Sequence, residues 1–203
     1  MNNVTVRPYT LADYQALLQI QKEAFPPPFP SELWWQEAHI QSHVDTFPEG
    51  ALLAEVNGVA AGSATSLLVD YDGKDHTWDE ISDLGFIRRS HKPSGDSLYG
   101  IDLCVRPSMR GQGVAQALYE ARKQTVRDFK LKRFIAACRI PGYHHHAEEL
   151  SVQEYVQSVQ METLKDQVLT FMLKQGLNPI SILPNYVEDT ESLDYAVLVE
   201  WLR

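Results

Sequence analysis

The sequence predicts an α/β fold in which helices pack against a mixed sheet. Residues 98–105 are typical of a buried strand, and a short glycine-bearing loop leads from them into an amphipathic helix that starts near Val114. A second apolar strand, residues 133–138, follows that helix, and a strand, helix and strand in succession predict a parallel βαβ unit. Asn57-Gly58 separates two further apolar runs and predicts an antiparallel hairpin.

The first third of the chain supplies one strand, two helices and the hairpin. Residues 3–8 predict a strand, and Thr10 with Asp13 predicts a capped helix that ends before the prolines of AFPPPFP, residues 24–30, which we interpret as a stiff surface connection. A helix is expected to restart at Ser31. The hairpin then occupies residues 51–56 and 59–70, and the polar residues 72–96 predict a long loop.

The last third is expected to close the sheet. Ser151 and Glu154 form the pattern of a capping box at the start of a helix, and a second helix runs to Lys174 with Gly176 as its C-cap. Residues 177–183 and 193–201 predict the two closing strands.

Composition limits the classes of function. At 203 residues, one domain spanning residues 1–203 is expected. The net charge of −9 and the lack of a Lys/Arg run argue against nucleic-acid binding. No signal peptide or membrane span is expected, and only Cys104 and Cys138 are present, so we predict a cytoplasmic protein with no membrane partner and no disulfide framework.

The loop before the central helix has the features of an anion site. A helix N-terminus offers unpaired N–H groups and a partial positive charge. Gly111 and Gly113 allow close approach to the main chain, while Arg106 and Arg110 add full charges. The loop lacks the Lys-Ser/Thr pair of a Walker A motif and the third glycine of a dinucleotide fingerprint, so ATP or NAD is a disfavoured ligand.

This stretch resembles motif A of the GNAT superfamily of acyl-CoA-dependent N-acyltransferases. The motif, Gln or Arg, two residues, Gly, one residue, then Gly or Ala, is matched behind a Val-x-Pro strand end. The resemblance implies a mostly antiparallel sheet of about seven strands whose central parallel pair is splayed. It also implies that the pyrophosphate of acetyl-CoA binds the matching loop residues, which are Arg110, Gly111, Gln112, Gly113, Val114 and Ala115.

The C-terminal half, with RIPGYH, LPNY and DYAVLVEW, resembles the GNAT domains that occur fused to carbon-nitrogen hydrolases. The resemblance implies transfer of an acetyl or other short acyl group from CoA to a primary amine of a small molecule or peptide. The alternative is a CoA-binding sensor or interaction module with little catalysis. A homodimer is plausible, and no metal cofactor is expected.

The resemblance also suggests where catalysis would occur. The main-chain N–H groups of Leu103, Cys104 and Val105 would hold the acyl carbonyl. Many relatives carry a glutamate base where this chain has Ile101, so the neighbouring Asp102 is a candidate base, although strand alternation turns it to the opposite face unless a bulge intervenes. Asp102 could equally be a structural carboxylate.

The candidates for the general acid are Tyr143 and Tyr186, because Met172 stands where relatives often have tyrosine. Each tyrosine could instead be a packed side chain with a satisfied hydroxyl. His144, His145 and His146 are more typical of surface or packing residues than of metal ligands, since adjacent residues in an extended segment point in different directions. A role in acceptor binding or acid-base chemistry is the alternative for these histidines.

Overall fold

The computed structural model describes residues 3–26 and 31–203. Its strands are β1 (Val4–Pro8), β2 (Ala51–Val56), β3 (Val59–Val69), β4 (Ser97–Val105), β5 (Arg133–Arg139), β6 (Asn178–Leu183) and β7 (Ala196–Leu202). Its helices are α1 (Tyr14–Ala24), α2 (Glu37–Thr46), α3 (Trp78–Ser82), α4 (Val114–Asp128), α5 (Val152–Gln160) and α6 (Leu169–Lys174). The predicted α/β class is confirmed.

The strands form one seven-stranded sheet in the order β1-β2-β3-β4-β5-β7-β6. Every neighbouring pair is antiparallel except β4 and β5. The parallel pairing joins Ser97–Gly100 of β4 to residues 133–136 of β5 and then stops, although both strands continue. The splayed central pair is therefore confirmed, and the gap opens beyond Gly100.

A β-bulge lies where the two strands begin to diverge. Thr65 of β3 faces Asp102, and the next residue, Ser66, faces Gly100, so Ile101 is the extra residue of β4. The insertion resets the alternation of side chains along the second half of the strand. Asp102 therefore does not follow the orientation that simple alternation from residue 98 predicts.

Local signals mark most element ends as expected. The Thr10 amide donates to the Asp13 carboxylate (2.8 Å), and the Ser151 amide donates to the Glu154 carboxylate (2.8 Å), as in capping boxes. Gly176 adopts φ 80° directly after the last turn of α6 and donates to Leu173 O (2.9 Å). The boundaries at Ser151 and Gly176 are confirmed, whereas Thr10 caps a 3₁₀ turn, Leu11–Asp13, and α1 itself begins at Tyr14.

Two boundaries differ from the predictions. Residues 72–96 are not all loop, because Thr77 and Glu80 cap the short helix α3. The last strand begins at Ala196 instead of residue 193, because Leu193 and Asp194 have positive φ values of 49° and 62° that a strand does not accommodate.

Other predictions concern the segment before α2 and the membrane. The proline-rich connection falls partly on residues 27–30, which lie outside the described residues, and Ser31 begins a 3₁₀ turn rather than an α-helix. Over the described ranges, no helix combines the length and the apolar character that crossing a bilayer demands.

Candidate active site

A cleft of about 810 Å³ opens where β4 and β5 separate. The N-terminal loop of α4 forms one end, and the divergent halves of β4 and β5 form the floor. The other walls come from residues near the start of α6, from Trp35 and Trp78, and from a loop that contains Tyr186 and Glu188. The cleft thus connects the predicted phosphate loop to the open edge of the sheet.

The α4 loop brings main-chain donors to the end of this cleft. Gly111 and Gly113 have φ values of 75° and 84°, and a Cβ atom at either position would meet no protein atom within 4 Å. Gly113 is the N-cap, and its carbonyl accepts the first helical hydrogen bond from Ala117 (2.9 Å). The N–H groups of residues 114–116 therefore precede the first intrahelical donor, as an anion site requires.

The predicted loop residues are brought together at this end of the cleft. Arg110, Gly111, Gly113, Val114 and Ala115 line it, whereas Gln112 does not. The Gln112 amide instead donates to Ser108 O (3.3 Å). Its side chain therefore supports the loop conformation.

Arg106 is engaged elsewhere. Its guanidinium donates to both carboxylate oxygens of Glu23, at 2.8 and 2.6 Å, and to Ala60 O at 3.1 Å. This bidentate pair ties the end of β4 to α1. Both arginines are predicted to bind an anion, but Arg106 is already paired with Glu23. Only Arg110, which is exposed and lines the cleft, remains a candidate for this role.

The register of β4 shows which main-chain amides face the gap. Arg106 N donates to Ala61 O (2.9 Å), and neighbouring positions of an antiparallel ladder alternate in direction. The amides of Leu103 and Val105 consequently point toward the gap, while the Cys104 amide points toward β3. All three residues line the cleft.

Asp102 lies on the cleft wall beside these amides. Its Oδ1 accepts from Thr65 N at 2.7 Å, and its buried Oδ2 has no hydrogen-bond partner among the described residues. Burial raises the pKa of Asp102 to about 6, against the opposing effects of the Arg122 charge and of Thr65. Such a carboxyl can accept a proton near neutral pH.

A polar network holds Thr65 in place behind Asp102. The Tyr9 hydroxyl lies 3.0 Å from Thr65 Oγ1 and 2.8 Å from His43 Nδ1. His43 Nε2 lies 2.6 Å from Gly85 O, and since a carbonyl only accepts, Nε2 carries the proton and Nδ1 accepts from Tyr9. Burial lowers the pKa of His43 to about 4, so the ring stays neutral at physiological pH.

Arg122, a buried arginine of α4, supports the bulge from the other side of the sheet. It donates to Ser66 Oγ (3.0 Å), to Thr65 O (2.9 Å) and to Asp102 O. Gly100 makes room for it, because a Cβ there would lie 2.9 Å from Arg122 Cζ. The sequence alone does not predict a buried arginine at this position. Its one signal is a glycine, Gly100, within the central strand.

The two candidate tyrosines are separated. Tyr186 lines the cleft, and its hydroxyl lies 3.3 Å from that of the buried Tyr99. Tyr143 is not among the residues lining the cleft; it packs against Tyr155 and Tyr195, and its hydroxyl donates to Leu150 O (3.2 Å). Of the two tyrosines, only Tyr186 therefore lines the cleft that Asp102 also lines.

The loop opposite β4 brings carboxylates to the cleft. Asp189 is held by Arg139 through two hydrogen bonds of 2.6 Å, and Glu191 accepts a third from Arg139 at 3.0 Å. Glu188 also lines the cleft, is exposed, and forms no ion pair with a described residue. It is a free negative charge in the cleft wall.

The other candidates are the three histidines, which do not line the cleft, and the two cysteines, which do. His144 Nδ1 lies 2.9 Å from Pro141 O, and the rings of His144 and His145 are in contact, with centroids 3.7 Å apart. No cluster of three or more metal-ligating side chains occurs among residues 3–26 and 31–203. Cys104 and Cys138 are free and buried, and burial raises the pKa of Cys104 to about 12, which disfavours a nucleophilic thiolate.

Comparisons with known proteins agree with this arrangement. The acetyltransferase (GNAT) family profile matches residues 14–150. The chain is 44% identical over 200 residues to the uncharacterized N-acetyltransferase YkwB of Bacillus subtilis, covering 98% of this chain and 88% of that protein.

It is also 42% identical over 192 residues to the probable hydrolase YhcX of the same organism, where the match spans 93% of this chain but 36% of that protein. Among solved structures, the GphF GNAT-like decarboxylase in complex with isobutyryl-CoA has a TM-score of 0.82 at 22% identity, over 98% of each chain. The chain belongs to the GNAT family of acetyltransferases.

Proposed function

We propose that this acyltransferase moves an acetyl group from acetyl-CoA directly to a primary amine that carries positive charge. The observation that carries the proposal is the continuity of one cleft from the donors at the α4 N-terminus to the open edge of β4. A long ligand with an anionic head and an extended tail fits that path.

The anionic end of the donor would bind at the α4 loop. The N–H groups of Gly111, Gly113 and residues 114–116 would surround the pyrophosphate, with Arg110 beside it. The pantetheine arm would then follow the gap between β4 and β5, where unpaired strand amides face an extended chain.

Three groups near the gap would perform the transfer. Asp102 takes a proton from the ammonium group of the acceptor, whose neutral nitrogen then attacks the thioester carbonyl. The amides of Leu103 and Val105 stabilise the negative charge that develops on the carbonyl oxygen. As the C–S bond breaks, Tyr186 donates its proton to the thiolate sulfur, and the nitrogen releases its second proton to solvent, so that a neutral amide and a neutral thiol leave. Tyr186 is reprotonated before the next turnover.

The acceptor side of the cleft favours a cation. Glu188 offers an unpaired carboxylate to the cleft, which Trp35 and Trp78 also line, stacked with centroids 6.1 Å apart. An unpaired carboxylate attracts an ammonium group. We therefore expect small polyamines or peptide amines to be better acceptors than neutral nucleophiles.

The experiment is a turnover assay for free thiol, with acetyl-CoA and a panel of a diamine, an amino sugar and a peptide with a free N-terminus. Amine-dependent thiol release with formation of the acetylated amine supports the proposal. Binding of acetyl-CoA without release stimulated by any amine would instead favour a CoA-binding sensor.

A further inference from the structure

A chain of three side chains links the cleft to the outside of the molecule. Tyr186 lines the cleft, and its hydroxyl lies 3.3 Å from the Tyr99 hydroxyl, which lies 2.8 Å from His76 Nε2. Tyr99 has no exposed surface, whereas His76 is partly exposed and borders a second cavity of about 320 Å³. The three groups form a continuous path between the two cavities.

The hydrogen-bond directions along this path depend on the protonation of His76. Nδ1 of His76 lies 3.1 Å from Lys74 O, and a carbonyl only accepts, so Nδ1 carries a proton. In the neutral ring Nε2 therefore accepts from Tyr99, and Tyr99 in turn accepts from Tyr186. With a proton on Nε2 as well, the two hydrogen bonds between His76 and Tyr99 and between Tyr99 and Tyr186 reverse, so the Tyr186 O–H is no longer donated to Tyr99.

We propose that His76 is the source of the proton that the leaving thiolate receives, acting through Tyr99 and Tyr186; this inference rests on the role proposed above for Tyr186. When the C–S bond breaks, the sulfur takes the proton of Tyr186. Tyr186 takes the proton of Tyr99, and Tyr99 takes the Nε2 proton of His76. The ring is left neutral, with all three hydrogen bonds directed as in the neutral state described above.

Burial explains why Tyr186 needs such a supply. Loss of water contact raises the pKa of both Tyr186 and Tyr99 well above the usual value for tyrosine, so a phenolate at either position is costly. A coupled transfer along the path leaves no phenolate behind. The charge change falls instead on His76, which can take up a new proton from solvent.

The surroundings of His76 suit a proton carrier at the surface. The other ionisable side chains that line the outer cavity are Asp70, Tyr71, Asp72, Lys74, Asp75 and Glu80. Asp72 and Lys74 pair with each other at 2.8 Å. His76 and Tyr99 are positioning residues in this scheme, because neither borders the predicted thioester site.

The test compares His76→Ala, Tyr99→Phe and Tyr186→Phe in turnover with acetyl-CoA and the best amine of the panel, with His145→Ala as a control for loss of an exposed histidine outside both cavities. We expect kcat to fall about 10- to 100-fold in the three variants of the proton path and to stay unchanged in the control. Added imidazole should restore kcat to His76→Ala, because the emptied position opens onto the outer cavity, but not to Tyr99→Phe.

The rescue distinguishes a proton carrier from a structural residue. At several pH values, the restored rate should follow the concentration of imidazolium rather than of total imidazole. Rescue that fails, or that follows total imidazole, would overturn the role of His76. If only Tyr186→Phe loses activity, the proton path through His76 and Tyr99 is wrong, but the proposed role of Tyr186 as the general acid is retained. If Tyr186→Phe keeps full activity, the role of Tyr186 is itself wrong.

Discussion

For Asp102, the effect of its charge on stability opposes the role as a base that we propose for it. Its pKa is raised from 3.8 to about 6 because burial disfavours the charged carboxylate. Between these two values the folded protein binds more protons than the unfolded chain, so the free energy of unfolding falls as the pH rises from about 4 to about 6. Above pH 6 the ionised group costs the fold about 2–3 kcal/mol relative to a neutral one.

Replacing Asp102 with Asn should therefore stabilise the protein while inactivating it. The amide keeps an oxygen to accept from Thr65 N and carries no charge. We expect the free energy of unfolding at pH 7.5 to rise by about 1–2 kcal/mol in denaturant titrations, and kcat to fall about 100-fold or more.

Asp96→Asn is the matched control for this prediction. Asp96 pairs with Lys132 at 2.7 Å, and this pairing and a hydrogen bond from Ser97 lower its pKa, so its ionised form helps the fold. The control should lose a few tenths of a kcal/mol and keep its turnover. An Asp102→Asn protein that is both less stable and fully active would show that the carboxylate is structural.

At the scale of elements, the start of α4 depends on backbone geometry that only glycine adopts easily. Gly113 has φ 84° and faces open space in the cleft. In Gly113→Val the valine side chain should fill the space in which we propose that the pyrophosphate binds. Acetyl-CoA at 100 times its Kd should stabilise the wild type by about 2.7 kcal/mol, and we expect the variant to lose this thermal shift.

Gly58→Val separates this effect from backbone strain. Gly58 has φ 82° and likewise no atom within 4 Å of a built Cβ, but it lies in the β2–β3 hairpin away from the cleft. Both variants should lose stability by about 1–2 kcal/mol through the positive φ. Only Gly113→Val should lose the shift, and a shift retained by both proteins would contradict the loop assignment.

The bulge of β4 couples Arg122 to the reactivity of Asp102. The positive charge of Arg122 lowers the pKa of Asp102, against the larger effect of burial. In Arg122→Gln the charge is lost but a donor remains, so the pKa of Asp102 should rise further. We expect the acidic limb of the pH profile of kcat/KM to lie near pH 6 in the wild type, and we predict that it moves to higher pH in Arg122→Gln.

Arg122→Lys tests whether charge is the cause. Lysine keeps the charge but cannot reproduce the three hydrogen bonds to Ser66, Thr65 and the Asp102 carbonyl. Both variants should lose about 1–3 kcal/mol of stability. The acidic limb of the kcat/KM profile should move to higher pH in Arg122→Gln alone. An equal shift in Arg122→Gln and Arg122→Lys would mean that a rearranged bulge, and not the lost charge, causes the effect.

Local sequence signals predicted elements well because each depended on neighbouring residues. The strand, glycine loop and helix around Gly113, and the capping pair of Ser151 and Glu154, needed no knowledge of distant contacts. The orientation of Asp102 could not be predicted in this way, because it depends on how β3 pairs with β4. Nothing within residues 97–105 alone determines that register.

Residues that meet only after folding were likewise invisible in the sequence. The sequence predicts a loop around His76 and a buried strand around Tyr99. In the fold, His76 contacts Tyr99, and Tyr99 contacts Tyr186, which lies 87 residues after Tyr99 in the chain. Arg122 interrupts the apolar stripe of α4 and would ordinarily be expected at the surface. The contacts of all three residues depend on tertiary packing, which the periodicity of the sequence does not encode.

At the scale of the whole molecule, the net charge of −9 leaves open whether cationic acceptors are attracted by the overall field or by a local group. Glu188 lines the cleft, whereas Glu148 is exposed and lies outside it. Removing either carboxylate changes the net charge by the same amount. The pair therefore separates the two contributions.

We predict that Glu188→Gln raises KM for a diamine about 2- to 5-fold with little change in kcat, since a partly exposed ion pair contributes about 0.5–1 kcal/mol. Glu148→Gln should leave KM within error of the wild type, because Glu148 does not line the cleft and exposed charges are largely screened at physiological salt, where the Debye length is about 8 Å. Raising the ionic strength should increase KM for the wild type and reduce its difference from Glu188→Gln. Equal effects of the two substitutions would mean that the overall field, rather than Glu188, attracts the amine.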